Sequence, residues 1–361
     1  LSTSLSLSTS LHLSHLLLMI MSRLTRTASS VLRQQHLTAR ALHSCPRAAH
    51  QHKFGEGWTS KEQRTMADGK GIFGEFANQY DQLRPDYPRK MWDTIFAQVA
   101  ESRCGCKQAA AAGLSNLSVV DVGAGTGRGA LFLAQQPSVA HVYVAEPDQG
   151  MLDQCKATFS SASPGPGSDS ACTASNAQAT FLRASAEQLE AIPEGSVDLA
   201  VCLQAWHWVD NDAALKQIAR ILKPGGIFAV AWNDRDLSVP WVAKLERMIE
   251  AYNVHYDRDE RQCDKYGRPL STNPDIALLS QQDIPNQLCF DSASKLVDLT
   301  HTFSYVRNAL TPEQLEAFSA ECLQLATEAA KGQGNTTAHH QDDAPPLQLP
   351  LKTRLYLLQR Q

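Results

Sequence analysis

Asp121, Gly123, Gly125 and Gly127 stand in the run Asp121-Val122-Gly123-Ala124-Gly125-Thr126-Gly127, which follows a short apolar stretch and precedes an amphipathic one. Glycines at such a junction permit a tight turn and let a ligand approach the backbone closely. The helix expected next begins with N–H groups that have no carbonyl partner within it, and these suit an acceptor. Glu146 closes the next apolar stretch, about 20 residues on, as expected of a carboxylate that holds ribose hydroxyls. Further along, Gln204-Ala205-Trp206-His207-Trp208-Val209 sets an imidazole and two indoles after another apolar segment. The pattern is that of a nucleoside-bearing cofactor with chemistry beside it.

Two cofactors fit the glycines. Gly125-Thr126-Gly127-Arg128-Gly129-Ala130 also matches the dinucleotide form GxGxxA. Asp121 separates them. A carboxylate at the strand end repels the pyrophosphate of NAD. S-adenosylmethionine (SAM) has no phosphate and carries an ammonium and a sulfonium, both of which a carboxylate attracts. A glycine-rich turn that binds nothing is the plain alternative, and the placement of Glu146 argues against it.

The elements that must position these residues alternate. Leu117–Val122, His141–Ala145, Ala179–Arg183, Val197–Leu203 and Ile227–Trp232 read as strands. Gly129–Gln136, Met151–Phe159 and Asp212–Leu222 read as helices between them, with Lys223-Pro224-Gly225-Gly226 as a turn. Such alternation implies a parallel sheet covered on both faces. Upstream, Ile72–Gln82 and Lys90–Ala100 read as helices joined by the two-proline segment Leu83–Pro88. Downstream, Leu237–Val254 and Pro312–Lys331 read as helices, and Leu296–Tyr305 and Leu347–Leu358 as strands. Ser160–Ala179, Tyr256–Pro274 and Gly332–Pro346 read as loops.

Five segments in this order carry a family resemblance. VVDVGAGTG resembles motif I of class I SAM-dependent methyltransferases, and VYVAEPDQGML their acidic second-strand motif. RASAEQL with IPEGSVDLAVCLQAWHWVD, and then ARILKPGGIFAVAWN, are similar to their third, fourth and fifth strand segments. Within the class the chain is most similar to the methyltransferase type 11 subgroup and to trans-aconitate methyltransferase-like proteins, to which YDQLRPDYP and LPLKTRLYLLQR also add. The resemblance implies a Rossmann-like α/β fold: a mostly parallel seven-stranded sheet, helices on both faces and an N-terminal helical cover. It implies that Asp121, Gly123, Gly125 and Gly127 line the methionine end of SAM, that Glu146 bonds the ribose with Pro147 and Asp148 beside it, and that Ser185, Ala186 and Glu187 meet the adenine. Where relatives carry Asp, this chain has Ser185. Gln204 is placed beside the sulfonium, and Tyr80 in the helices that cover the pocket.

In open α/β sheets the ligand crevice lies beyond the carboxyl ends of the strands, so Gln204–Val209 is expected to face the reacting methyl group. Methyl transfer is an in-line displacement at carbon, and catalysis is mainly positioning and exclusion of water. Trp206 and Trp208 are candidates to hold the cationic sulfonium or to line the acceptor pocket, with core packing as the bland alternative. His207 is the candidate general base for an acceptor hydroxyl, and a structural hydrogen bond is its alternative. Arg84 is a candidate for a carboxylate of SAM or of an acidic acceptor, with a solvated or core-capping arginine as the alternative. Trp232, Asn233 and Trp241 stand near the same strand ends, where packing is the expected role.

The chain has 361 residues and a net charge of -4, but residues 1–55 hold six basic and no acidic side chains, which leaves -4 - 6 = -10 on the rest. A body this acidic matches nucleic acid poorly. Residues 1–65 read as a basic leader with the composition of a mitochondrial or plastid transit peptide, and Arg40-Ala41-Leu42-His43-Ser44 within it as a matrix-protease site, so a mitochondrial address is expected; a tail of no address is the alternative, and translation from Met66 would instead imply a cytoplasmic protein. The globular domain is expected over residues 72–361, with its core over 115–235 and a C-terminal part over 236–361. The run Leu11–Met21 is interrupted by His12, Ser14 and His15 and falls short of a bilayer span. The nine cysteines form no CxxC pair and no metal-ligand set, so reduced structural thiols are expected. The reading is transfer of a methyl group from SAM to an oxygen of a small molecule, by a monomer or homodimer. The alternatives are a non-catalytic SAM-binding or assembly protein and an NAD-dependent oxidoreductase.

Overall fold

The computed structural model describes residues 83–105, 113–162, 177–209, 211–253, 256, 270, 273–334 and 346–361. The expected leader, the helix over 72–82 and Tyr80 lie outside these residues. The first described helix, α1 (Arg89–Cys104), starts after Pro88 and ends where Gly105 turns left-handed at φ 65°. It buries Met91, Trp92, Ile95, Phe96 and Val99, a stripe at helical spacing.

The sheet then builds by alternation. Strand β1 (Leu117–Val122) leads to α2 (Arg128–Ala134), β2 (Val139–Ala145) to α3 (Gln149–Ala162), and β3 (Gln178–Leu182) to β4 (Val197–Leu203). A short 3-10 turn (Trp206–Trp208) and α4 (Asn211–Ile221) precede β5 (Leu222–Arg235). After α5 (Pro240–Tyr252) come β6 (Ile276–Phe290), α6 (Ser294–His301), α7 (Ser304–Arg307), α8 (Pro312–Gly332) and β7 (Leu347–Arg360). The seven strands lie in the order β3-β2-β1-β4-β5-β7-β6. The strands β1 to β5 pair in parallel, and β7 runs antiparallel to both β5 and β6. This is the Rossmann-like, mostly parallel, seven-stranded fold that the motifs imply.

The strand alternation divides the core into two layers. Val120, Val122, Phe228, Val230 and Trp232 point to the face covered by α4. Val119, Leu199, Val201, Ile227 and Ala229 point to the face covered by α1 and α2. Residues such as Phe228 and Leu199, with no exposed surface, each contribute roughly 1.5–3 kcal/mol of burial. A third apolar cluster unites α5, α6 and α8 around Phe318. Helix α8 starts on a reciprocal capping box between Thr311 and Gln314, with Pro312 in its first turn.

Two expectations are corrected. Leu296–Tyr305 is not a strand: Leu296, Leu299, Thr300 and Phe303 are the buried positions, a spacing of three and four that places them on one side of α6 and the turn after it. The expected turn Lys223–Gly226 lies inside β5 as a bulge. Leu222 pairs with Val197, pairing resumes at Leu199 with Ile227, and Gly225 takes φ 76°. The sequence reading assigned no element to residues 276–290, which form β6, an edge strand paired on one side alone, where Pro285 forfeits no second ladder bond.

Candidate active site

The glycine run connects β1 to α2 at the carboxyl edge of the sheet. Gly123, Gly125 and Gly127 take φ values of 69°, 58° and 89°, a region costly to residues with a Cβ. Space adds a second demand at two of them. A Cβ on Gly123 would lie 2.6 Å from the Ala205 Cβ, and one on Gly127 would collide with Cys155 Sγ. The loop is thus pressed between the residues after β4 and helix α3. A Cβ on Gly125 would meet nothing within 4 Å, so that glycine faces open space.

Glu146 stitches this loop to the end of β2. Its Oε2 accepts from the Gly125 N–H at 2.8 Å and its Oε1 from the Asp148 N–H at 2.9 Å. Asp148 in turn caps α3, its Oδ1 accepting from the Met151 N–H at 2.9 Å. Asp121 is 1% exposed, and its carboxylate accepts from the Ala130 N–H in the first turn of α2. Glycine at 129 makes that approach possible, because a Cβ there would lie 2.8 Å from Asp121 Oδ2.

These carboxylates are held in a dry place. Burial pushes the Asp121 carboxyl up to about 7, with Glu146 adding to the rise and the Ala130 N–H opposing it. Burial likewise pushes Glu146 up to about 7, against the pull of the Asp148 and Gly125 N–H groups. Asp121 Oδ1 and Asp148 Oδ2 are buried and have no partner among the described residues. An orphaned buried carboxylate oxygen costs about 1–3 kcal/mol or more, so such a site asks for a cationic or hydrogen-donating ligand. The ammonium, sulfonium and ribose hydroxyls of SAM meet that demand, and a pyrophosphate does not.

The other expected cofactor residues lie along the same edge. Pro147 is exposed, and its carbonyl accepts from Arg183 Nε at 3.4 Å. Ser185 and Glu187, after β3, are half-buried, while Ala186 is buried in the core layer beneath α4. Gln204 adopts φ 59°, a left-handed turn that a non-glycine residue seldom takes and that ends β4 abruptly. Its N–H donates to the Ala231 carbonyl at 2.8 Å and its Nε2 to the Asn233 carbonyl at 3.3 Å.

The aromatic run after β4 divides. Trp206 has no exposed surface and packs edge-on against Phe228, 5.1 Å between ring centres. It belongs to the core rather than to an acceptor pocket, because a ring with no accessible surface presents none to a substrate. His207 and Trp208 are half-buried, their rings 4.9 Å apart. Nδ1 of His207 accepts from Trp232 Nε1 at 3.3 Å.

Arg84, Pro85 and Asp86 form a strap against this edge. Arg128, the first residue of α2, donates from Nη1 to the Arg84 carbonyl at 2.8 Å and pairs through Nη2 with the Asp86 carboxylate. Asn286 Nδ2 donates to the Asp86 carbonyl at 2.9 Å and to Asn233 Oδ1 at 3.0 Å. Thr353 also donates to Asn233 Oδ1. The Arg84 guanidinium stands 5.3 Å from the centre of the Phe303 ring, and that of Arg235 5.2 Å from it. Arg128, Asn286, Thr353 and Arg235 escaped the sequence reading. Nothing in their local pattern marks them, since each acts on a residue far away in the chain.

Residues 120–230 match the methyltransferase domain family. An uncharacterised methyltransferase of Mycobacterium tuberculosis is 29% identical over 177 residues, which cover 49% of this chain and 58% of that protein. One from Schizosaccharomyces pombe is 31% identical over 172 residues, 47% of this chain and 56% of that protein. The chain thus spans a little over half the length of these curated relatives. A solved structure from Anaeromyxobacter dehalogenans, named for a type II methyltransferase, shares the fold with a TM-score of 0.50 at 20% identity, over 76% of this chain and 97% of that one. Residues 120–230 are thus similar to a methyltransferase domain, and the fold is the Rossmann-like one. SAM is the cofactor that the sequence motifs imply, and the residues at the carboxyl edge fit it.

Proposed function

We propose that the protein transfers a methyl group from SAM to an oxygen of a small-molecule acceptor, a carboxylate or a hydroxyl. The observation that carries this reading is Asp121. Its carboxylate sits buried at the start of α2 with one oxygen unpartnered among the described residues, beside a second buried carboxylate, Glu146. When bound, SAM supplies an electrophilic methyl group. Asp121 would hold its positive charge, and Glu146, which ties down Gly125, would hold the ribose hydroxyls. The motif likeness to trans-aconitate methyltransferases supports an acidic acceptor. The acid-free leader supports a mitochondrial address, which import into isolated mitochondria would test.

The experiment has two arms. Thermal shift with SAM, S-adenosylhomocysteine and NAD is expected to show stabilisation by the first two alone, and Asp121→Asn to weaken SAM binding about 10- to 100-fold, the loss of a charge-assisted bond. Radiolabelled SAM with a panel of small acids and phenols is expected to give a labelled ester or ether. Stabilisation by NAD alone overturns the reading. SAM binding without transfer to any acceptor leaves a SAM-binding protein that is not a methyltransferase.

A further inference from the structure

We propose that Trp232 is a positioning residue that holds His207 in the tautomer with its proton on Nε2, so that the Nδ1 lone pair is taken and an acceptor finds no general base in this ring. The word acceptor rests on the methyl-transfer reading above; the tautomer stands without it.

An indole N–H donates and has no lone pair with which to accept. Its partner at 3.3 Å, Nδ1 of His207, must therefore be the nitrogen without a proton. Moving the proton to Nδ1, or adding one there, would set N–H against N–H and forfeit the bond. Both rings are held in place. Trp232 is 9% exposed, pairs across to Arg354 on β7 and meets Tyr356 edge-on at 5.7 Å. His207 lies between Trp206, which anchors the 3-10 turn in the core, and Trp208, whose N–H donates to the Ala205 carbonyl at 3.0 Å. That turn abuts the cofactor loop, because Ala205 is the residue that a Cβ on Gly123 would strike. The bond from Trp232 thus takes the Nδ1 lone pair and leaves the ring's single proton on Nε2. An acceptor hydroxyl must then lose its proton to another group, whereas a carboxylate needs no base.

The test begins with the ring nitrogens of the 15N-labelled full chain at neutral pH. The histidine resonances that vanish in His207→Gln identify the residue among the 12 histidines. The wild type is expected to show the Nε2–H tautomer, and Trp232→Phe a mixture of tautomers. An Nδ1–H tautomer or an imidazolium in the wild type overturns the proposal without recourse to any variant, and so does a Trp232→Phe spectrum equal to wild type. Kinetics on an acceptor turned over by the wild type form the second arm. Glutamine keeps a donor near the place of Nε2 and cannot act as a base. His207→Gln is expected to stay within about tenfold of wild-type kcat while His207→Ala falls about 100-fold or more, and equal losses in the two would restore the general base. No turnover of any acceptor together with the expected spectrum would overturn methyl transfer and leave the Trp232 contact standing.

Discussion

Asp121 and Glu146 make cofactor binding depend on pH. Both carboxyls stand near 7 in the fold, above ordinary values of 3.8 and 4.5. A group raised on folding stabilises the fold fully below its unfolded pKa, and that contribution is lost as the pH rises through its folded value. The ligand-free protein is therefore expected to lose stability between about pH 4 and 7 through these two groups. A cationic ligand prefers the ionised carboxylates, so it binds more tightly as they ionise and releases protons below pH 7. Calorimetry in two buffers of different ionisation enthalpy should show proton release at about pH 6 and little at about pH 8.5. A SAM affinity that stays flat across this range would remove Asp121 and Glu146 from the cationic end of the site. Asp121 was legible in the sequence because a strand-end carboxylate before glycines needs no distant partner to be recognised. Its orphaned oxygen was not, since that depends on which groups the fold brings around Asp121 Oδ1.

Among the elements, the strap over residues 84–86 joins the two halves of the site. Its carbonyls are taken by Arg128 from α2, by Asn233 from β5 and by Asn286 from β6. Removing Asn286 deletes the 2.9 Å bond to Asp86 and the 3.0 Å bond to Asn233. Asn286→Ala is expected to cost about 1 kcal/mol in global stability and to loosen the strap by more than it loosens the sheet. Hydrogen exchange at Arg84, Asp86 and Tyr87, compared with that in β1, checks this; equal effects in both places would mean that the strap is not held from β6. The strands β1 to β5 were readable from apolar runs bounded by turns. β6 was not, because its residues come in blocks, apolar over 276–279 and polar over 280–283, with a proline at 285, and show no period of two. The helix α6 shows the reverse error: it was read as a strand, and its spacing of three and four became decisive only once the buried side was known.

Across the whole molecule, a buried ion pair links the end of β5 to the C-terminal part. Arg235 Nε donates to Glu246 Oε2 at 2.6 Å, with side chains 14% and 3% exposed. Tyr256 donates to Glu246 Oε1 at 2.6 Å and accepts from Arg235 at 3.0 Å, and Arg235 also donates to Tyr305. Glu246→Gln leaves the guanidinium buried without its countercharge, and urea denaturation is expected to show a loss of about 3 kcal/mol. Replacing both Arg235 and Glu246 with apolar residues of similar volume is expected to restore most of it, because the pair itself contributes little beyond its own desolvation. A single variant as stable as wild type would show that the pair is not buried in solution.

Local chain geometry fixes what contiguous residues can announce. The turn at Gly123–Gly127, the carboxylate at the end of β2 and the strand–helix alternation were therefore determined by the sequence itself, and with them the Rossmann-like fold. Tertiary structure decided which of the neighbours Trp206 and His207 enters the core and which meets Trp232, and it brought Asp86, Asn233, Asn286 and Thr353 to one point. These outcomes depend on the register of β5 and β7, and on what each side chain meets across the sheet. Such contacts join residues from 25 to 200 positions apart, and no local pattern along the chain encodes them.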